Sequence, residues 1–325
     1  MKIHIAPVLA AVACAALGSA QAQFLFSDDF NAAGSSANYT AETLGETAVT
    51  YAFDYSSLGI PVAPNTTDAS TLGVKFEANM TSGAVSAVTL HSILQFSGSY
   101  SVRFDAWINA NGPFPGGGAG STEFLTSGVG GDGSTVNRVG STGSGGYFAA
   151  DGEGGSGIDY RLYKGVTLQD PASLQYAAGS QSTARNATDP YYAAFGGIDV
   201  ATLPVQGANN GGPAQQNGTT LTGSFGFAWH EVELLVNATG GTGGASAVTW
   251  FIDGVRIGTL DAGIGTTFPS DGSVTLGYAD TFTSVSDNAT LSFGLIDNLT
   301  VVPEPSTYAL GALGFGAFCY LRRRK

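Results

Sequence analysis

The sequence offers few groups able to do chemistry, and most of them are carboxylates. In Trp229-His-Glu-Val-Glu233 the two acids stand two residues apart on a strand-like run, so Glu231 and Glu233 share one face. Two carboxyl groups on one cleft are what hydrolysis of a glycosidic bond requires. No third acid supports this pair, and the spacing reads as a solvent-facing edge of a strand. Asp151-Gly-Glu153 is a second acid pair, placed in a Gly-rich turn, and it takes the same reading. His91 and His230 are the only imidazoles outside the first 22 residues, which leaves little material for a His-based triad or metal site. Gly143-Ser-Gly-Gly146 and Gly154-Gly-Ser-Gly157 imitate a nucleophile elbow by low complexity alone. No Gly-Lys-Ser/Thr follows the Gly-rich runs, so they are not phosphate loops. No catalytic residue is assigned, and the expectation is a protein that is not an enzyme.

Aromatic side chains could do a different job, stacking against sugar rings. Trp107, Tyr191 and Tyr192 are the candidates. Trp107 lies opposite an apolar strand face, and the two tyrosines lie in a long polar stretch beside Tyr160 and Tyr163 in position. Trp229 and Trp250 read as core. Eight Asn-x-Ser/Thr triplets, Asn65-Thr-Thr among them, are what chance gives in a chain so rich in Asn and Thr.

Charge excludes one large class of function. Net charge over the 325 residues is −13, with charged residues at 11%. Between residues 23 and 302 only seven basic residues face 24 acidic ones, a balance of −17. Such a surface repels phosphate backbones, so no nucleic-acid partner is expected. Hydrophobic residues at 43% are enough for a sizeable core.

The two ends read as addresses. Residues 1–22, MKIHIAPVLAAVACAALGSAQA, have one Lys, a small apolar run and Ala20-Gln21-Ala22, which makes a secretory signal peptide cut before Gln23. Cys14 lacks a convincing lipobox. At the other end Pro303-Glu304-Pro305 precedes an uncharged helix-like run, 306–321, and the basic block Arg322-Arg323-Arg324-Lys325. Sixteen residues fall short of the ~20 that cross a bilayer comfortably. Five of them, Leu310, Leu313, Phe315, Phe318 and Leu321, favour insertion by roughly 1.5–3 kcal/mol together, before Gly, Ser and Tyr subtract. The run therefore suits a short, transient transmembrane helix in the inner membrane. The arginines would stay cytoplasmic and leave the bulk of the chain outside. Cys14 and Cys319 both lie in these ends, so residues 23–302 must hold together without disulfides or thiolate zinc.

The tripeptide, the short apolar helix and the terminal Arg cluster together resemble the PEP-CTERM sorting signal of Gram-negative bacteria, over about 23 residues of the chain. The resemblance implies that Pro303, Glu304, Pro305, Arg322, Arg323 and Arg324 form a tag for an exosortase, a membrane-embedded cysteine protease or transpeptidase. It also implies an exported protein associated with exopolysaccharide and biofilm matrix, at the cell surface or outside the cell. A permanently anchored adhesin is the alternative.

Residues 23–302 read as one all-β domain. Alternating runs rich in β-branched and aromatic residues recur, separated by Gly, Asn, Ser and Thr clusters. Strands are expected at 24–30, 47–54, 71–79, 85–89, 93–97, 101–109, 123–128, 146–150, 158–164, 223–236, 246–252, 273–277 and 289–302. In the run from Tyr100 to Asn109, Val102, Phe104, Ala106 and Ile108 share one face, with Arg103, Asp105 and Trp107 on the other. Asp253-Gly254 predicts a tight hairpin turn. The run FAWHEVELLV, then VTWFIDGVRIGTL, VTLGY and LSFGLIDNLTV, resembles a laminin-G-like or concanavalin-A-like jelly roll, with Phe26-Ser-Asp-Asp-Phe30 as its opening strand.

That resemblance implies a single jelly-roll sandwich whose first strand lies beside its last. It implies a possible Ca²⁺ where those strands meet, with Asp28, Asp29 and Asp297 as ligands. Glucan-cleaving members carry Glu-x-Asp-x-x-Glu or Glu-x-Asp-x-Glu, and Trp229-His-Glu-Val-Glu233 lacks the central Asp and the third acid. Two stretches, 110–146 and 176–222, are Gly/Ser-rich or Ala/Asn/Gln-rich and read as long, weakly constrained surface insertions. The functional expectation is an exported, non-catalytic surface or matrix protein that contacts extracellular polysaccharide, with glycan cleavage as the alternative.

Overall fold

The structure, a computed structural model, describes residues 24–81, 83–177 and 185–304. The leader at 1–22, Pro305, the apolar run at 306–321 and Arg322, Arg323 and Arg324 lie outside the described residues. Among the described residues no helix is long and apolar enough to cross a membrane.

The strands are β1 (Phe26–Asp28), β2 (Tyr39–Leu44), β3 (Thr47–Asp54), β4 (Leu72–Ala78), β5 (Ala87–Phe96), β6 (Tyr100–Asn109), β7 (Glu123–Gly131) and β8 (Gly146–Asp151). There follow β9 (Tyr160–Lys164), β10 (Thr167–Leu168), β11 (His230–Asn237), β12 (Ala247–Ile252), β13 (Val255–Asp261), β14 (Gly272–Asp280) and β15 (Phe293–Pro303). They form two antiparallel sheets. One runs β13-β12-β11-β6-β15-β4-β3, with β1 also paired to β15; the other runs β10-β9-β8-β7-β14-β5-β2. The chain is an all-β, two-sheet sandwich.

Side-chain alternation explains why the sheets stack. In β11, His230, Val232, Leu234 and Val236 are buried while Glu231, Glu233 and Leu235 are less so. In β6, Val102, Phe104, Ala106 and Ile108 enter the central core, where they meet Phe148, Trp250, Leu276 and Ile296. Val102, Phe104 and Ile108, fully buried, each contribute about 1.5–3 kcal/mol. The turn Asp253-Gly254 has φ of 50° and 74°, the two positive angles a tight hairpin demands. The first strand does lie beside the last, with Phe26 opposite Val301 and Asp28 opposite Leu299.

Three expectations need correction. The strands expected at 85–89 and 93–97 are one strand, β5. Its polar centre survives burial because the His91 ring nitrogens lie at hydrogen-bond distance from the Ser273 hydroxyl and the Thr135 carbonyl, at 3.1 and 3.0 Å. Residues 223–229 are not strand, and β11 begins at His230.

The long insertions are not loosely held surface. Asn137 donates its backbone N–H to Thr89 Oγ1 and its amide to Thr275 Oγ1, so the segment after β7 covers the outer face of the seven-stranded sheet. Tyr192 and Phe195 belong to the central core, and Val200 and Val205 to a second apolar cluster. That cluster, with Tyr55, Ile60, Trp107, Phe227 and Leu295, sits on the outer face of the eight-stranded sheet. Both outer faces are therefore partly roofed by connecting segments.

Candidate functional site

Beside the second apolar cluster, three acids form a row across the eight-stranded sheet. Register places Glu231 of β11 opposite Asp105 of β6, and Asp105 opposite Asp297 of β15. Like charges directly opposed on one face repel, so the row needs donors between its members. Two asparagines supply them. Asn65 donates its backbone N–H to Asp105 at 3.0 Å and its amide to Asp105 at 2.7 Å and Glu231 at 3.1 Å. Asn298 donates its amide to Asp105 at 2.8 Å and to Thr66 Oγ1 at 2.9 Å. Asp297 accepts from the Tyr55 hydroxyl at 2.9 Å and from the Asn298 N–H at 2.7 Å.

A β-bulge aims Asn298. The pairing of β15 with β6 shifts register between Asp297 and Thr300, and Asn298 has φ of 54°. Asn tolerates this left-handed conformation better than most residues with a Cβ. Burial is the main reason that Asp297 is pushed up to about 7, with the Asp105 and Asp29 charges adding to it against the Tyr55 and Asn298 bonds. Burial also raises Asp105, opposed by the asparagine donors.

Of the row, Glu231 reaches a cleft of about 540 Å³ whose lining also includes Phe24, Asp29, Asn65, Arg103 and Asn298. Phe24, in that lining, is 57% exposed. Glu233, the second acid of the β11 pair, is engaged. Arg103 donates to its Oε1 from Nε at 3.0 Å and from a terminal nitrogen at 2.8 Å, and Ser101 donates at 2.8 Å. Glu231 and Glu233 do share a face, yet the carboxyl group nearest Glu231 in register is Asp105.

The acids expected to share a calcium ion are engaged separately. Asp28 accepts from Ser35 Oγ at 2.7 Å, Asn38 Nδ2 at 2.9 Å and the Phe30 N–H at 2.9 Å. Asp29 accepts from the Asn31 N–H at 3.1 Å, and Asp297 is held by Tyr55 and Asn298 as above. Among the described residues no group of three or more His, Cys, Asp or Glu stands in an arrangement that could hold a metal ion.

The aromatic candidates for sugar stacking are placed otherwise than expected. Trp107 is 3% exposed, packed edge-on against Trp229 in the second cluster, because the 55–65 and 198–205 segments roof that face. Tyr192 is wholly buried against Tyr160. Pro190 starts a short 3-10 turn capped by Asp189, and this turn tucks Tyr192 inward. Tyr191 is half-buried, with its hydroxyl donating to the Arg256 carbonyl at 2.6 Å. Sequence reasoning missed Phe24, which adjoins the leader, and Asn65, which looked like one of many chance triplets. Asp297-Asn298 was visible as a strand ending without its bulge.

His230 and Asp253 form a 2.7 Å pair, but the imidazole packs inward against Phe225, and among the described residues no hydroxyl meets its Nε2. At the tail, Pro303 closes β15 opposite Tyr100, and the Glu304 N–H donates to the Ser99 carbonyl at 3.2 Å.

A family model described as the PEP-CTERM protein-sorting motif matches residues 301–325. No curated protein matches the chain by sequence. Among solved structures, the sandwich is similar to a Bacillus subtilis protein of unknown function with a galectin-like fold, at 11% identity and a TM-score of 0.43, over 86% of this chain and 96% of that one. It is also similar to an endo-β-1,4-glucuronan lyase from the fungus Trichoderma reesei, at 10% identity and a TM-score of 0.43, over 87% of this chain and 96% of that one. An alginate lyase from a Chlorella virus aligns at 11% identity and a TM-score of 0.40, over 87% of this chain and all of the other. The chain carries a PEP-CTERM sorting motif at its C-terminal end, behind a two-sheet β-sandwich.

Proposed function

We propose that this is a non-catalytic surface or matrix protein, exported and sorted through its PEP-CTERM tail, that holds an extracellular polysaccharide in the cleft beside β6, β11 and β15. The motif implies processing by exosortase, with a transient stop in the inner membrane before release to the cell surface or the medium. The observation that carries the binding reading is the cleft itself: an exposed aromatic ring, Phe24, beside amides and carboxylates that can pair with sugar hydroxyls. The acids there already serve the fold. Glu233 is held by Arg103, and Glu231 and Asp105 share the Asn65 amide that pins the 60–67 segment to the sheet.

Retention on a panel of polysaccharides without shortening of the polymer is the expected result. Phe24→Ala should weaken retention by about tenfold, the loss of one stacked ring. One observation favours a second reading, glycan cleavage: Glu231 lines the cleft and stands directly across from the carboxyl group of Asp105, buried behind it. Shortened polymer, lost in both Glu231→Gln and Asp105→Asn, would replace the first reading with the second.

A further inference from the structure

One end of the seven-stranded sheet gathers carboxyl groups that the cleft does not use: Glu123, Asp151, Glu153, Asp159 and Asp280, all buried. Register pairs four of them. Asp280 of β14 stands directly opposite Glu123 of β7. In the neighbouring pair Ala150 faces Tyr160, and the Asp151 N–H donates to the Asp159 carbonyl at 2.9 Å, so Asp151 faces Asp159. Side chains so opposed have Cβ atoms about 4.5–5.5 Å apart on one face of the sheet.

Donors are few at both pairs. Asp151, Asp159 and Asp280 each accept one backbone N–H, from Glu153, Ala187 and Phe282. Among the described residues their other oxygens, Oδ2 of Asp151, Oδ1 of Asp159 and Oδ2 of Asp280, are buried without a donor, and no backbone N–H reaches Glu123. The Tyr278 hydroxyl, fully buried beside Glu123, is the side-chain donor in reach, and burial of the carboxyl group outweighs it. Asp105 on the other sheet, equally buried, receives three donations.

The surrounding charges do not compensate. From the turn after β8, Glu153 faces both pairs, taking bonds from the Ser121 and Thr122 hydroxyls. The Ser121 hydroxyl also meets the Gly118 carbonyl, and its single proton serves one acceptor. From β4, Glu77 adds negative charge toward Glu123, though Lys75 pairs with it at 2.7 Å. Arg138 reaches Asp280 from the segment after β7. Arg161 of β9 acts on Asp151 and Asp159, but its guanidinium lies over the Phe124 ring and donates to the Ile158 carbonyl. The Tyr160 hydroxyl, beside Asp159 in sequence, donates to the Gly223 carbonyl. A buried carboxyl group so poorly compensated takes a proton instead of staying charged.

We propose that the pairs Glu123–Asp280 and Asp151–Asp159 each hold at least one proton at neutral pH, and so form an acid-stable clasp that loosens as the medium turns alkaline. Burial, with the facing acid adding to it, raises Glu123 and Asp151 well above the usual carboxylate range. Burial also raises Asp159 to about 7, against the Ala187 N–H and a bond to Asp151, and Asp280 to about 6, against the Phe282 N–H and Arg138. The clasp has something to hold. Asp159 accepts from the Ala187 N–H at 2.6 Å, and the Arg185 carbonyl takes the N–H groups of Asp159 and Tyr160. The segment that brings Tyr192 into the core is thus docked on one of the pairs.

Groups raised in the folded state make it bind more protons than the unfolded chain. Their stabilisation is whole below the ordinary carboxylate range near pH 4 and is lost as pH rises through about 6–7. The test uses the full chain carrying Asp297→Asn, which removes that group's own contribution. Infrared spectra in D₂O at pH 6.5 should show the carbonyl band of protonated carboxyl groups, and Asp159→Asn with Asp280→Asn should reduce it. Between pH 5 and pH 8 the parent Tm should fall by about 5 °C more than that of the doubly substituted chain. Absence of the band, or equal slopes in the two chains, overturns the proposal. A rise in Tm with Ca²⁺ at pH 7.5, reversed by EGTA and lost in the doubly substituted chain, also overturns it and assigns a cation in place of the protons. If the doubly substituted chain fails to fold, Asp159→Asn and Asp280→Asn are measured singly, each expected to reduce the band; an undiminished band in both overturns the proposal.

Discussion

Replacing Asn298 tests whether the bulge and its amide hold the acid row together. Asn298→Ala removes two amide donations, at 2.8 Å to Asp105 and 2.9 Å to Thr66, and puts a Cβ without a polar side chain at φ of 54°. Losing a bond to a charged acceptor costs about 1.5–3 kcal/mol. The low end applies, because Asp105 keeps both donations from Asn65. The left-handed backbone adds about 1 kcal/mol for Ala over Asn. The sum is a destabilisation of about 2.5 kcal/mol. Asn298→Gly loses the same donations without the backbone strain, but gains freedom in the unfolded chain, worth about 0.4–1 kcal/mol. The Gly chain should therefore be no less stable than the Ala chain, and more stable by up to about 0.6 kcal/mol. Urea titration followed by tryptophan fluorescence measures both, since Trp107 and Trp229 lie in the adjoining cluster. A Gly chain clearly less stable than the Ala chain would refute the strain argument. Both chains within 0.5 kcal/mol of the parent would refute the role of the amide.

Further outcomes follow from the same geometry. Asp297 is raised to about 7, so its share of stability is full below its unfolded value near 4 and fades as pH climbs to 7; Asp297→Asn should flatten that part of a Tm-against-pH curve. Glu233→Gln breaks an ion pair whose Arg103 side chain is half exposed, and should cost less than about 1 kcal/mol by chemical denaturation. Mass spectrometry of the extracellular protein should show loss of the residues beyond about Pro305; a retained tail would favour a permanently anchored adhesin.

What the sequence discloses depends on how local the cause is. Val102, Phe104, Ala106 and Ile108 alternate because one face of β6 enters the core, and the pattern needs no other part of the chain. The opposite face was misread. Trp107 and Asp105 look solvent-exposed until Tyr55, Ile60 and Val200, distant in sequence, close over them. β2 escaped notice because it is an edge strand with a mostly exposed pattern and little alternation. β5 looked broken at His91-Ser92, whose polar atoms are satisfied by Ser273, Thr135 and Leu94 from elsewhere. The Glu231 face was legible from spacing. Its partner was not, since only register reveals that Asp105 lies across from it.

The departure point of the tail has a mechanical corollary. The last strand, β15, ends at Pro303 and is flanked by β6 on one side and by β4 and β1 on the other. A pull applied there runs along β15, so the hydrogen bonds to its neighbours are loaded together in shear. An edge strand pulled away from its sheet would instead unzip one bond at a time. Whatever tugs on the C-terminal end must tear out an interior rib of the sandwich before any peripheral strand can peel away.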